Sequence, residues 1–246
     1  MLSSAAPPAA GRPGLVEERR LWRAGHQWVA GLDEVGRGAW AGPVSVGVAV
    51  LAPGTRAARM PRWLRDSKQL SEERREAIVD EVAAWCAAWA VGHAWPEECD
   101  RYGMTAALRL ASLRALAALE LEVDALLVDG PFNLVAERPP PAQGQMVLAD
   151  RTERPRPETP PGVTAPGVVV PLVGADARCA AVAAASVLAK VHRDRLMREE
   201  APHFPPYCFE QNKGYPSPAH QRALRGYGLS AIHRRSWAFV ADLPCP

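Results

Sequence analysis

Lysine is nearly missing from this chain. Only Lys68, Lys190 and Lys213 stand among its 29 basic residues, and the rest are arginine. Long apolar runs are missing too: nothing approaches the roughly 18 uninterrupted apolar residues of a membrane-spanning helix. The N-terminal MLSSAAPPAAGRPGLVEERR has no apolar core flanked by basic residues, so no signal peptide is expected. The five cysteines (Cys86, Cys99, Cys179, Cys208, Cys245) are odd in number and contain no C-x-x-C pair, which speaks against a disulfide framework or a zinc site. A reducing, cytoplasmic setting follows. The six histidines show no zinc spacing, and GRGAWAG departs from the G-x-G-x-x-G of dinucleotide-binding turns. A formal net charge of +2 is too small to announce a nucleic-acid partner or to exclude one, so any basic surface must be local.

What is there suffices for a real core: 246 residues, 48% of them hydrophobic. Residues 1–20, rich in Ala, Pro, Gly and charge without period, are expected to form a disordered arm. QWVAGLDEV and GPVSVGVAVLAP read as two strands joined by a turn. Ser71 offers an N-cap hydroxyl, Glu72 and Glu73 fill the first helical turn, and Ile78, Val82, Trp85 and Trp89 step by three and four until Gly92. A second helix is expected over about 105–121, then a short strand, ALLVDGP. Residues 133–167 are Pro-rich and aperiodic and read as an insertion. VVVPLVG resumes the sheet, an Ala-rich helix covers 178–200, and short helices and turns close the chain. Strands alternating with helices predict a single α/β domain over 21–246.

The chemistry gathers at strand ends. Asp33 and Glu34 follow an apolar strand and precede the Gly36-Arg37-Gly38 turn, and Asp129 likewise ends a strand before Gly-Pro. Carboxylates about 4 Å apart repel by roughly 4 kcal/mol at an effective dielectric of 20, so such a cluster needs protons or cations. Oxygen-only ligands suit Mg2+ or Mn2+. The ions would hold a phosphate, and the glycine turn would touch the sugar beside it. Ser186, Lys190 and Asp194, spaced i, i+4, i+8, share a helix face and make Asp194 a candidate fourth carboxylate. Lys213 and Tyr215 flank a glycine, a cation and an aromatic suited to phosphate and to sugar or base. Asp150 and Asp176 read as structural or loop acids, and helix geometry turns His192 away from Asp194.

These stretches together resemble ribonuclease HII. GLDEVGRGAWAGPVSVGVAV, DSKQLS, LLVDG, AAASVLAKVHRD, NKGYPSPAH and HRRSWAFV occur in family order across most of 28–240, and all three lysines fall inside them. The resemblance implies a ribonuclease H-like fold, a mixed sheet flanked by helices, with a C-terminal helical part. It implies hydrolysis of the RNA strand of RNA–DNA hybrids and a cut 5′ of a single ribonucleotide in duplex DNA. It maps four metal-binding carboxylates onto Asp33, Glu34, Asp129 and Asp194, and 2′-hydroxyl recognition onto Gly36, Arg37, Gly38 and Tyr215. Ser67, Lys68, Ser186, Lys190 and Lys213 complete the expected substrate-binding set. The expected cofactor is a pair of Mn2+ or Mg2+ ions. The expected partners are hybrid and ribonucleotide-containing duplex, bound by a monomer without membrane or assignable protein partner. Departures are the long Pro-rich segment, YGMTAAL after the second helix's start, and a loose closing WAFV. Two rivals remain: a hybrid-binding module without cleavage, and a metal nuclease of the same fold that ignores the ribose.

Overall fold

The computed structural model describes residues 12–136 and 154–243. Five strands, β1 (Val29–Val35), β2 (Val44–Leu51), β3 (Ala88–Ala94), β4 (Ala125–Asp129) and β5 (Val168–Leu172), form one sheet in the order β3-β2-β1-β4-β5. The β1–β2 and β2–β3 pairs are antiparallel, and β1–β4 and β4–β5 are parallel, so the sheet is mixed. The helices in chain order are α1 (Val16–Arg23), α2 (Glu72–Trp85), α3 (Pro96–Tyr102), α4 (Met104–Ala117), α5 (Ala175–Arg178), α6 (Ala180–Glu200), α7 (Phe209–Asn212) and α8 (Pro218–Tyr227).

All eight residues of β2 are buried, because helices cover both faces of the sheet. On one face Val44, Val46, Val48 and Val50 pack with Ala30 and Leu32 against α4. On the other, α6 lies almost on the backbone of the strands. A Cβ on Gly31 would stand 2.2 Å from the Ala181 carbonyl carbon, and one on Gly47 would stand 2.4 Å from the Ala185 carbonyl oxygen. Glycine on the strands and alanine on the helix allow this approach. It brings residue 33, on the same face as Gly31, under the N-terminal third of α6, at Ser186. A third layer, built on Met197, Tyr207, Phe209 and Leu224, packs behind the C-terminal end of α6.

Several expectations change. The 1–20 arm overlaps α1: Leu15 and Leu21 are buried, Gly14 N–H donates to Arg178 O at 2.9 Å, and Ala180 N–H donates to Gly14 O at 2.9 Å. Residues 1–11 lie outside the described residues. The Ala-Pro-Gly composition of the preceding stretch masked a short amphipathic helix. The helix begun at Ser71 ends at Trp85, and Trp89 and Gly92 belong to β3, where Trp89 pairs with Ala49. The step from Trp85 to Trp89 matches helical spacing only by coincidence, since burial beyond it alternates at 90, 92 and 94. The second helix ends at Ala117 rather than near 121. In the 133–167 segment, 137–153 lie outside the described residues, and the described remainder holds no helix or strand. Among the described residues no helix is long and apolar enough to cross a membrane.

Glu18 on α1 has no exposed surface, and its Oε1 accepts the Ala181 N–H at 2.9 Å in the first turn of α6. Its Oε2 has no partner among the described residues. Burial pushes its pKa up to about 7, against the opposing backbone N–H bonds. A carboxyl raised in the folded state contributes stability that is full below its unfolded pKa and is lost as pH rises through the folded one. Glu18→Gln should therefore unfold with nearly the wild-type midpoint at pH 4 and be the more stable protein at pH 8, by roughly 3 kcal/mol. A difference that stays constant across that range would remove Glu18 as its source.

Candidate active site

The parallel register Leu32↔Val128 sets Asp33 and Asp129 side by side at the C-terminal ends of neighbouring strands. Asp33 is 3% exposed, and its Oδ1 accepts the Glu34 N–H at 2.8 Å. Burial pushes its carboxyl up to about 7; Glu34 and Asp129 add to the push, while the Ser186 hydroxyl and Lys68 oppose it. Glu34 is also raised, by burial and by Asp129, against Arg37, whose Nη1 lies 3.7 Å from Glu34 Oε1. Asp129 is oriented from the next loop, its Oδ1 accepting the Ala175 N–H at 2.7 Å. Three expected carboxylates thus share one electrostatic neighbourhood.

The fourth, Asp194, is held elsewhere. Its carboxylate lies 2.5 and 2.7 Å from Lys190 Nζ and 3.7 Å from Arg75 Nη2, so it is buried with its charge already matched. Helix geometry supplies the reason. Position i+8 has drifted about 80° from Ser186, whereas i+7 returns within about 20°. The residue that returns is Arg193. The acid that does border the cluster is Asp176, which the sequence alone suggested was structural. It is 7% exposed, one residue beyond the amide that bonds Asp129. Its Oδ2 stands 3.3 Å from Lys68 Nζ. Asp33, Asp176 and Asp66 raise the Lys68 pKa, overcoming the opposing effect of burial. Asp150 lies outside the described residues.

Ser67 and Ser186 are brought together as expected: the Ser186 hydroxyl is 2.8 Å from Ser67 Oγ and also bonds Asp33. Lys190 and Lys213 are not free for a ligand. Lys190 is committed to Asp194, and Lys213, 4% exposed, donates to Glu210 O at 2.6 Å and to Glu72 Oε2 at 3.3 Å. His192 packs edge-on to Trp89, away from the site.

The Gly36-Arg37-Gly38 turn and Tyr215 do meet: Gly36 N–H donates to the Tyr215 hydroxyl at 3.1 Å. Gly36 has φ 83°, a left-handed conformation that favours glycine. Two arginines with no exposed surface hold this turn. Arg234 donates to the carbonyls of Gly36 (2.7 Å), Arg37 (3.1 Å) and Gly42 (3.0 and 3.1 Å). Arg193 donates to Pro43 O (2.9 Å), Ala41 O (3.1 Å) and Lys213 O (2.9 Å), and lies 5.3 Å from the Tyr215 ring centre. A histidine pair supports Tyr215 from below. His220 Nδ1 donates to Tyr215 O at 2.9 Å, which leaves its Nε2 to accept from His233 Nε2 at 2.9 Å. Ser230 N–H donates to His233 Nδ1 at 2.9 Å, closing the chain. Both rings are neutral: burial lowers His220, and burial followed by His220 lowers His233 to about 3. Sequence reasoning missed these arginines and the histidine pair. For Arg193 the signal was available, at seven residues from Ser186.

The carboxylate donor set is hard and oxygen-only, which fits a divalent cation such as Mg2+ or Mn2+. Burial above all, with repulsion from neighbouring carboxylates added, raises Asp33 and Glu34, and a bound cation would offset both. Among the described residues, no three His, Cys, Asp or Glu side chains are arranged to hold an ion as they stand.

A family sequence model described as Ribonuclease HII matches residues 30–240. This chain belongs to the ribonuclease HII family. Ribonuclease HII of Streptomyces avermitilis is 41% identical over 220 residues, 89% of this chain and 81% of that protein. Ribonuclease HII of Paracoccus denitrificans is 42% identical over 230 residues, 94% of this chain and 93% of that one. Ribonuclease H2 from Pyrococcus horikoshii superposes with a TM-score of 0.65 at 26% identity, covering 87% of this chain and 96% of that one. The mixed sheet with flanking helices is therefore the ribonuclease H-like fold, and the protein is a nuclease and a hydrolase. Its family acts on RNA–DNA hybrids and depends on divalent metal.

Arg234→Lys keeps the charge but replaces a planar fork with a point ammonium. At least one of the carbonyls of Gly36, Arg37 and Gly42 then goes unpaired, at about 1–3 kcal/mol. A lowered urea midpoint is expected; an unchanged one would mean that the turn does not depend on the fork.

Proposed function

We propose that this chain is an endoribonuclease that hydrolyses the RNA strand of RNA–DNA hybrids and cuts 5′ of a single ribonucleotide in duplex DNA. The products would carry 3′-hydroxyl and 5′-phosphate ends. One observation carries the reading. The Gly36 amide and the Tyr215 hydroxyl meet at 3.1 Å, one short turn beyond Asp33 and Glu34. That contact couples a sugar-sensing element to the carboxylates, so the phosphate beside a ribose is the one offered for cleavage.

The residues that would hold the metal are Asp33, Glu34 and Asp129, with Asp176 in place of Asp194 as the fourth. Two divalent ions, when bound, would activate the attacking water and stabilise the departing 3′ oxygen. The rest falls to the chain itself. The backbone of Gly36, Arg37 and Gly38 would test for the 2′-hydroxyl, and the Tyr215 ring would pack on the sugar. Exposed Lys68, next to buried Ser67, would meet a neighbouring phosphate. Lys190 and Lys213 act structurally, the first neutralising Asp194 and the second tying α7 to α2. The described cysteines are free thiols, in keeping with a cytoplasmic enzyme.

The test is a labelled DNA duplex carrying one ribonucleotide, with an all-DNA control, incubated in Mg2+, in Mn2+ and in EDTA. A metal-dependent cut 5′ of the ribonucleotide alone is expected. Cleavage of both duplexes would indicate a nuclease blind to the ribose, and binding without cleavage an inactive module. Two substitutions refine it. Asp129→Asn and Asp176→Asn should each lower turnover by about 10^3-fold, the scale of several kcal/mol of lost charge stabilisation, whereas Asp194→Asn should lower thermal stability first. Metal titration followed calorimetrically separates them: weakened metal binding in the Asp194 variant, with none in the Asp176 variant, would restore the i+8 assignment. Tyr215→Ala should cost about 10–100-fold on the single-ribonucleotide duplex, and less on a long hybrid. Equal losses on both would count against ribose sensing.

A further inference from the structure

Between β2 and α2 the chain reads RAARMPRWLRDSK, with a cation at every third position: Arg56, Arg59, Arg62, Arg65 and Lys68. The one acid in the stretch, Asp66, turns its carboxylate back to cap the Lys68 N–H at 2.9 Å. Buried residues fix the loop between the cations. Met60 is 5% and Leu64 0% exposed. The Arg12 guanidinium donates to the carbonyls of Met60 and Pro61, and Arg75 donates to those of Ser67 and Leu70. Arg56, Arg59 and Arg62 are left facing solvent on a pinned backbone.

Some surface arginines find carboxylates, Arg195 and Arg198 pairing with Glu76 and Glu72 and Arg114 with Glu98, while others, such as Arg19, Arg222 and Arg225, stand singly among the described residues. Among the described residues Arg56, Arg59, Arg62 and Arg65 pair with none. Beside them Trp63, 38% exposed, carries Arg62 at 5.4 Å and Arg74 at 4.5 Å from its ring centre. The indole face orients both guanidinium groups, which lowers the entropy lost when they meet an anion. The row ends at Lys68, beside Asp176, and at Ser67, which touches Ser186 next to Asp33. Unpaired cations therefore recur along the chain segment that leads to Ser67 and Lys68 beside the carboxylate cluster.

We propose that Arg56, Arg59 and Arg62, with Arg74 ordered on Trp63, form a track for the sugar-phosphate backbone of the substrate duplex away from the cut. The proposal deepens the nuclease reading above and rests on it. Duplex DNA offers one negative charge per about 1.7 Å of axis, and each cation that meets a phosphate releases a condensed counter-ion. The track contributes affinity without sequence preference, while the choice of ribose stays with the turn at Gly36.

The experiment compares wild type with the triple variant Arg56→Gln/Arg59→Gln/Arg62→Gln and with its Lys counterpart at the same positions. Binding of an all-DNA duplex is followed by fluorescence anisotropy across a salt series. The Gln variant should reduce the slope of log affinity against log salt by about 2–3, while the Lys variant keeps it. Cleavage is then measured on a long duplex with one ribonucleotide and on one trimmed close to it. The advantage of the long duplex in kcat/KM should shrink by about tenfold in the Gln variant. Thermal melting checks that these exposed substitutions leave the fold intact. Equal slopes and an undiminished long-duplex advantage would overturn the track while leaving the nuclease reading untouched. A loop-dependent slope in a wild-type protein that fails to cut the ribonucleotide would support the track and overturn the activity.

Discussion

The site depends on two guanidinium groups sealed inside the protein. Arg193 comes from α6 and Arg234 from the C-terminal part. Between them they donate to carbonyls at 36, 37, 41, 42, 43 and 213. A turn of this kind exposes backbone oxygens that a sheet would have paired, and burying them unmet costs about 1–3 kcal/mol each. Arginine answers several at once because its donors lie in one rigid plane. Burial lowers the pKa of both groups, that of Arg234 to about 10, so they remain charged with carbonyl dipoles as their chief partners. Nothing apolar could replace them without leaving the turn unpaired. The contact between Gly36 and Tyr215 exists because this frame fixes both of its sides.

The carboxylates illustrate the opposite economy. Asp33 and Glu34 are brought beside Asp129 where burial, with the neighbouring carboxylates added, works against the charge of the first two. A fold selected for stability alone would separate them. Here the sheet register, the Ser186 hydroxyl and the Ala175 amide keep them in place, and Lys68 offsets only part of the charge. Local rules broken in this way, with the surrounding structure absorbing the cost, mark a functional site. Asp194 provides the contrast within the same protein, an acid of similar burial whose charge is matched by Lys190 and Arg75.

Much of this was legible in the residues. β1, β2, the Ser71 cap and the Ala-rich helix followed from period and capping, and Asp33, Glu34 and Asp129 followed from strand ends. What escaped did so for definable reasons. The shift from helix to strand at residues 86–88 was hidden by a tryptophan pair at helical spacing. α1 was hidden by the composition of the residues before it. Asp176 sits on a four-residue helix too short to show a pattern. Arg234 lies 198 residues from the carbonyl it bonds, a pairing no local signal carries.

The choice between Asp176 and Asp194 shows how a small angle decides a site. Along α6, Ser186 faces Asp33, and seven residues later the helix has turned back to nearly the same direction, where Arg193 enters the glycine turn. One residue further, the accumulated drift carries Asp194 round toward α2, where Arg75 waits. Reading polar residues at i, i+4 and i+8 as one stripe treats the helix as if it closed every four residues. It closes nearer seven in two turns. A helix packed on glycine backbones cannot rotate to compensate, because Ala181 and Ala185 already touch the sheet. The close packing that brings Ser186 to Asp33 therefore also keeps Asp194 from reaching it. In the reading proposed above, the fourth carboxylate comes from α5, just after β5, where Asp176 stands.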